Sequence, residues 1–136
     1  MQSVATEAEF AQVFRADHAI IFIDFAWSGQ AWLSAAVIGE WERTSNVWGV
    51  GCPVFKVRPD EQLVVATWMR AQGKKLGGEG GYGSLVWLRS GIIVDYEPYV
   101  VGAGLQDISR RTRFAFEKQE CPRSAPDGMW DRDMDG

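Results

Sequence analysis

An almost uninterrupted apolar stretch at residues 19–25 limits most strongly what this chain can fold into. The stretch reads Ala-Ile-Ile-Phe-Ile-Asp-Phe, and Asp24 is its only charged residue. A strand with one wet face alternates apolar and polar residues, whereas a strand covered on both faces is apolar throughout. The stretch therefore predicts a central strand in a sheet that carries helices on both sides.

One helix is predicted before this strand in the sequence and one after it. The first covers residues 7–16, because Thr6 and Glu9 form a capping box in front of an apolar pattern, and a short strand at 2–5 precedes it. The second helix covers residues 28–44. Its buried side is expected to carry four apolar residues, Leu33, Val37, Ile38 and Trp41.

The rest of the chain predicts a second helical crossover. A strand at 54–57 begins after Pro53, which has no backbone N–H for a central ladder. A helix then begins near Pro59 and ends before Gly73, with Asp60 and Glu61 near its positive end.

A hairpin and a last helix are predicted to complete the fold. Strands at 84–89 and 92–96 are joined by Ser90-Gly91, a two-residue hairpin signal. The last helix follows Gly104 and reaches about residue 118. We therefore predict an α/β fold, with a central mixed sheet of four to five strands flanked by about four helices.

Residues 20–31 resemble the central strand and active-site turn of the thioredoxin family. They read Ile20-Ile-Phe-Ile-Asp24-Phe-Ala-Trp27-Ser28-Gly29-Gln30-Ala31, where the family runs through Asp-Phe to Trp-Cys-Gly-Pro-Cys and into a helix. The predicted order of elements is also the thioredoxin order. The resemblance implies a thioredoxin-like domain at residues 1–119, followed by an acidic, flexible tail at 120–136.

The chain departs from the family at the reactive groups. Ser28 and Ala31 stand in the places of the two cysteines, and a serine hydroxyl needs an adjacent base to become a nucleophile. The only histidine, His18, lies at the other end of the predicted strand, about 20 Å away. Gly83 takes the place of a proline that the family holds in the cis form. Thiol–disulfide exchange is therefore not expected.

One further departure leaves two interpretations open. Asp24 is either the family's buried aspartate, followed by a turn about two residues shorter than usual, or Phe22 holds that place and Asp24 lies nearer the turn. A two-residue slip keeps the same side chains on each face of a strand, so the sequence fits both.

The leading functional hypothesis is a redox-inactive module that binds another protein or a peptide, as a scaffold or accessory domain. Trp27 matches the family's exposed tryptophan, and it is either a binding anchor or a locally packed ring. The predicted binding surface consists of the emptied turn and the segment facing it: Trp27, Ser28, Gly29, Gln30, Ala31, Tyr82, Gly83 and Ser84.

Two alternatives are kept. The helix start could serve a non-redox enzyme or a binder of small anions such as a glutathione-like carboxylate, with Ser28 and Gln30 as donors and Asp24 as the base. Cys52 and Cys121 could form a disulfide latch, although Cys52 is expected to be a small buried side chain.

Composition and weak motifs exclude several other classes. The net charge of −4 and pI near 5 argue against binding to nucleic acid or anionic membranes. No apolar run suits a transmembrane helix, and the N-terminus does not resemble a signal peptide, so a cytoplasmic location is expected.

No cofactor or metal site is predicted. The glycine motif at 78–83 precedes a strand and is interpreted as a loop. The aspartates at 131–135 are interpreted as part of the acidic tail, and the arginines at 110–113 as a solvated helix face. Six of the tryptophans are expected mostly in the core: Trp27, Trp32, Trp41, Trp48, Trp68 and Trp87.

Overall fold

The computed structural model describes residues 1–44, 53–76 and 82–116. The helices and strands within these ranges follow one another in this order: β1 (Gln2–Ser3), α1 (Glu7–Arg15), β2 (His18–Ile23), α2 (Gly29–Thr44), β3 (Val54–Val57), α3 (Leu63–Gln72), a 3-10 helix (Gly73–Leu76), β4 (Ser84–Arg89), β5 (Ile92–Glu97), α4 (Val100–Ala103) and α5 (Leu105–Phe116).

A mixed sheet of five strands forms the centre, in the order β1-β3-β2-β4-β5. β3 is parallel to β1 and β2, whereas β4 is antiparallel to both β2 and β5. The hairpin between β4 and β5 turns at Ser90 and Gly91, which have φ angles of 50° and 80° and so provide the left-handed pair that a tight hairpin needs. The predicted α/β fold with a mixed sheet is confirmed.

β2 supplies both halves of the hydrophobic core. Ile20 and Phe22 face a cluster formed with α2 and α5, while Ile21 and Ile23 face a cluster formed with α1 and α3. All four side chains are fully buried, because alternate residues of a strand point to opposite faces and both faces carry helices. The apolar stretch thus has the role that its composition predicts.

α1 begins as its sequence predicts. The Thr6 hydroxyl accepts from the Glu9 amide at 3.1 Å, and the Glu9 carboxylate accepts from the Thr6 amide at 3.2 Å. This reciprocal capping box satisfies backbone donors that the first turn of a helix leaves free.

The predicted start of α3 was wrong. Residues 59–61 form a turn rather than helix, and the amides of Glu61 and Gln62 donate to the Arg58 carbonyl at 3.0 and 2.9 Å. The Gln62 side chain is drawn away from the helix, because its Nε2 donates to the Val4 carbonyl and its Oε1 accepts from the Arg58 amide. The helix therefore begins at Leu63.

The predicted buried side of α2 was partly wrong. Ile38 and Trp41 are fully buried, but the helix buries Ala31 and Ser34 rather than Leu33, which is 54% exposed. The first half of α2 is apolar around most of its circumference, so periodicity alone did not identify the inward face.

Several expectations lie outside the described residues. These concern Cys52, Cys121, Trp48, most of the glycine motif at 78–83, and the tail at 120–136. Among the helices of the described ranges, none combines the length and apolar character needed to cross a bilayer.

Candidate functional site

Three segments meet at one end of the sheet. β5 runs in the same direction as β2, because each is antiparallel to β4. The residues that follow β2 and β5 therefore lie at the same end, next to the residues that precede β4. This arrangement brings together residues 24–31, 98–99 and 82–83. The part of this region that reaches solvent consists of the half-buried Ser28 and the exposed Trp27, Gly29, Gln30, Tyr82 and Tyr99, and we call it the turn surface.

Ser28 acts as the N-cap of α2. Its Oγ accepts from the Ala31 amide at 3.1 Å, and its carbonyl accepts from the Trp32 amide at 3.1 Å. Serine is among the preferred residues at this position because its hydroxyl satisfies an amide that the helix leaves free. The Ser28 hydroxyl is thus engaged in stabilising the start of the helix.

Asp24 is buried and paired. It is 6% exposed, and its Oδ2 accepts from Arg58 Nε at 2.9 Å. The hydrogen bond to Asp24 is the largest influence on the pKa of Arg58, which is raised above its ordinary value despite burial. The carboxylate considered as a base for Ser28 is therefore already bound to a cation.

Gly83 lies directly against α2. Its φ is +88°, and a Cβ placed on it would be 2.5 Å from Ser34 Cβ and 3.1 Å from Ala31 Cα. Proline fixes φ near −65°, so the backbone at this position excludes the proline that the thioredoxin family carries here. Only glycine fits both the left-handed backbone and the close approach to the helix.

The carbonyls of the segment before β4 have internal partners. Ser34 Oγ donates to the Tyr82 carbonyl at 2.7 Å, and the Val100 amide donates to the Gly83 carbonyl at 3.1 Å. An extended peptide that docks as an added strand needs free backbone groups. Both carbonyls are already bonded within the molecule, so neither is free to pair with an added strand.

Aromatic side chains dominate the turn surface. Trp27 is 68% exposed and leans on Phe25, with ring centroids 5.4 Å apart. Tyr82 and Tyr99 meet edge to face at 5.8 Å, and Tyr99 donates from its hydroxyl to Gln30 Oε1 at 3.1 Å. These contacts fix the orientation of the rings while leaving much of their area in water.

Tyr99 was missed by the sequence analysis. It follows β5, sixty-nine residues after Gln30, and no local pattern joins the two. The predicted topology was the one feature that could have identified Tyr99. In a β4–β5 hairpin that pairs with β2 through β4, the end of β5 lies at the same end of the sheet as the end of β2.

The predicted site residues divide by exposure. Trp27, Gly29, Gln30 and Tyr82 are exposed and Ser28 is half-buried, so these can reach a partner. Ala31, Gly83 and Ser84 are buried and can act only by supporting the others. His18 begins β2 at the opposite end and stacks on Phe116 at 4.5 Å, which agrees with the prediction that it forms no dyad with Ser28.

Solved structures similar to this chain include several thioredoxin-fold proteins. Thioredoxin from Malassezia sympodialis is 20% identical, covers 82% of this chain and 89% of its own, and gives a TM-score of 0.58. Oxidised thioredoxin from Plasmodium falciparum is 16% identical with 84% and 97% covered and a TM-score of 0.62. The first thioredoxin domain of a mouse protein disulfide-isomerase is 16% identical with 95% and 81% covered, also at 0.62.

Similarity in sequence is much weaker than similarity in structure. No protein-family model matches the chain, and no curated protein matches it significantly. The likeness at these identities is one of fold, and it agrees with the order of strands in the sheet and with the helix that follows the central strand. The chain therefore adopts the thioredoxin fold.

Proposed function

We propose that this protein is a redox-inactive thioredoxin-like module that binds another protein through the turn surface. The observation that carries the proposal is a set of ordered, exposed aromatic rings around a helix start whose serine is engaged as an N-cap. Exposed aromatic residues held in fixed orientations are frequent anchors of protein interfaces.

The geometry favours recognition by side chains over strand addition. The carbonyls of Tyr82 and Gly83 are bonded within the molecule, so a partner gains more from covering Trp27, Tyr82 and Tyr99 than from pairing with the backbone. Gln30 adds a carboxamide to this surface, next to the Tyr99 hydroxyl. This polar group can hydrogen-bond to a partner and so fix its position on the aromatic patch.

The alternative of a non-redox enzyme receives less support. Ser28 Oγ is used in capping, and the Asp24 carboxylate is ion-paired with Arg58. A serine nucleophile needs a base within hydrogen-bond reach, and the candidate base has another partner. The disulfide latch through Cys52 and Cys121 remains an alternative, and it concerns residues outside the described ranges.

Affinity capture tests the binding role. Immobilised wild type is compared with a Trp27→Ala, Gln30→Ala double variant and with Leu63→Ala, which alters an equally exposed apolar residue on α3. We expect a protein that wild type and Leu63→Ala retain and the double variant loses. Retention of the same proteins by the double variant would move the interaction to another surface.

A separate assay tests redox inactivity. The wild type is incubated with a disulfide-containing protein and dithiothreitol, and reduction is followed over time. We expect the rate of the reductant alone, because position 28 carries a hydroxyl rather than a thiol. Acceleration by the wild type would show thiol chemistry and contradict the proposal.

A further inference from the structure

β5 forms one edge of the sheet. Within the described ranges it pairs with β4 and with no further strand, so the backbone groups on its other side point away from the sheet. An edge of this kind can take up a strand from another molecule, and proteins commonly block it. β1 at the opposite edge has two residues, whereas β5 has six. An incoming strand would therefore have more to pair with at β5.

Two side chains occupy the outward backbone groups of Tyr96. Its carbonyl accepts from Arg111 Nη2 at 3.0 Å, and its amide donates to Asp95 Oδ1 at 2.8 Å. The amide and carbonyl of one strand residue point to the same side. Neither partner belongs to β4, so both groups of Tyr96 face the open edge. Arg111 Nη2 and Asp95 Oδ1, which are 2.8 Å apart, thus present a donor and an acceptor where an added strand would present its own.

An extra residue in β5 interrupts the same edge. Leu88 lies opposite Ile93, but the preceding residue, Trp87, lies opposite Asp95. Val94 is therefore a bulge. A regular strand turns alternate residues outward, whereas a bulge breaks this alternation and bends the strand. The evenly spaced edge that an incoming strand needs is thus interrupted near its middle.

Arg111 is held in place by several contacts besides that with Tyr96. Its guanidinium bonds to both carboxylate oxygens of Asp95, pairs with Glu97 at 2.6 Å and lies over the Trp87 ring at 4.9 Å. The side chain is 18% exposed. A planar guanidinium fixed on several sides loses little further freedom when it also bonds to a carbonyl. The contact with the edge is therefore an ordered part of the packing of α5 on the sheet.

We propose that Arg111 and Asp95 close the edge of the sheet at β5, and that without them β5 pairs antiparallel with β5 of a second copy. The inference goes beyond the proposed function, because it concerns the edge strand and not the contacts of the turn surface. A second copy is the favoured occupant, because two identical antiparallel strands satisfy the same groups in both molecules. Ile92 and Val94, which are 63% and 38% exposed, would add apolar cross-strand contacts.

A neutral triple variant, Asp95→Asn, Glu97→Gln, Arg111→Met, removes the closing contact. Neutralising the three groups together avoids leaving a buried charge without its partner, as a single substitution would. The matched control, Asp24→Asn with Arg58→Met, removes an ion pair that lies away from β5. Sedimentation velocity of the full chain under reductant measures association, and circular dichroism establishes that each variant is folded.

The triple variant should shift from the 15.2 kDa monomer towards twice that mass or beyond at concentrations of up to about 1 mM. Wild type and the control should show no such shift, because their Tyr96 carbonyl is still bonded to Arg111. Adding Val94→Lys to the triple variant should restore the monomer, since a charged side chain on an edge strand disfavours pairing. A folded triple variant that stays monomeric overturns the proposal, and so does association that Val94→Lys leaves unchanged.

Amide hydrogen exchange of the wild type tests the closed edge without a variant. Ile93 faces Leu88, and Tyr96 faces Val86 two residues away, so both amides point to the open edge. After correction for intrinsic rates, the Tyr96 amide should exchange at least about tenfold more slowly than that of Ile93, because it is bonded to Asp95. Equal exchange of the two amides would overturn the proposal.

Discussion

The tryptophans of α2 and β4 that enter the core differ sharply from those beside the turn. Trp41 and Trp87 are fully buried, and their indole Nε1 atoms donate to Ser109 Oγ and Thr112 Oγ1 of α5 at 2.8 and 2.9 Å. Trp27 and Trp32 are 68% and 79% exposed. Trp41 thus joins α2 to α5 and Trp87 joins α5 to the sheet, whereas Trp27 and Trp32 keep most of their apolar area in water.

This difference separates stability from function in an aromatic-rich chain. A buried indole contributes to stability by packing and by a satisfied N–H. The positions of Trp41 and Trp87 in the core therefore account for the presence of both residues. Exposed indoles contribute little to folding, so Trp27 and Trp32 need another explanation. The proposed protein interface is one such explanation.

Removing one buried and one exposed tryptophan ring tests this difference most directly. Trp87→Ala should lower the free energy of unfolding by about 3–5 kcal/mol, because it leaves a large cavity in the core. Trp32→Ala should change it by no more than about 0.5 kcal/mol. Urea unfolding followed by circular dichroism measures both, and equal losses would contradict the division into core and surface rings.

A substitution at Gly83 tests whether the scaffold beneath the exposed rings is tightly packed. Gly83→Ala should destabilise the protein by about 2–4 kcal/mol, through its left-handed backbone and its contact with Ser34. The matched control is Gly29→Ala, where a Cβ has open space and φ is not positive. If thermal unfolding shows the two variants to be alike, the close approach of Gly83 to α2 is wrong.

Removal of one hydroxyl tests how the core indoles are held. Ser109→Ala should cost about 1–3 kcal/mol, because it leaves the Trp41 N–H buried without its acceptor. The same change in a Trp41→Phe background should cost less, since that ring has no N–H to satisfy. A double-mutant cycle by chemical unfolding gives the coupling, and additive losses would mean that the hydrogen bond contributes nothing.

The ion-pair network next to Trp87 predicts a smaller, pH-dependent effect. Arg111 lies over the Trp87 ring at 4.9 Å and pairs with Asp95 at 2.8 Å and Glu97 at 2.6 Å. Burial works to raise the pKa of Asp95, but hydrogen bonds from Arg111 and the Tyr96 amide outweigh it and leave that pKa below its ordinary value of 3.8.

The sign of the effect follows from this direction. The unfolded chain takes up the proton on Asp95 at a higher pH than the folded chain, so the stabilisation is complete above 3.8 and is lost as the pH falls through the lower, folded pKa. Unfolding measured at several pH values should therefore show a flatter acid decline for Asp95→Asn than for wild type. Parallel declines would mean that Asp95 is not stabilised as an anion.

More of the fold than of the candidate site could be predicted from the sequence. The uniform apolar character of β2 and the Ser90-Gly91 turn are local signals, and both led to the observed elements. The start of α3 could not be predicted locally, because the Gln62 side chain bonds to Val4, fifty-eight residues away. The exposure of Leu33 was missed because α2 is apolar on more than one face.

The site depended on contacts that a linear pattern does not contain. Residues 27–30 were identified from the turn itself, whereas Tyr99 joins Gln30 only through the return of β5. The hydrogen bond from Ser34 to the Tyr82 carbonyl likewise could not be identified without the folded chain, and it favours binding through side chains over binding through the backbone.

The central claim is that the exposed aromatic surface at the emptied turn contacts another protein. A benzophenone amino acid placed at position 27, and at position 63 as the control, tests it directly by photo-crosslinking in a native lysate. We predict a discrete adduct at position 27 that is absent at 63, where the exposed leucine lies on α3. No adduct at position 27, or the same adducts at both positions, would contradict the account.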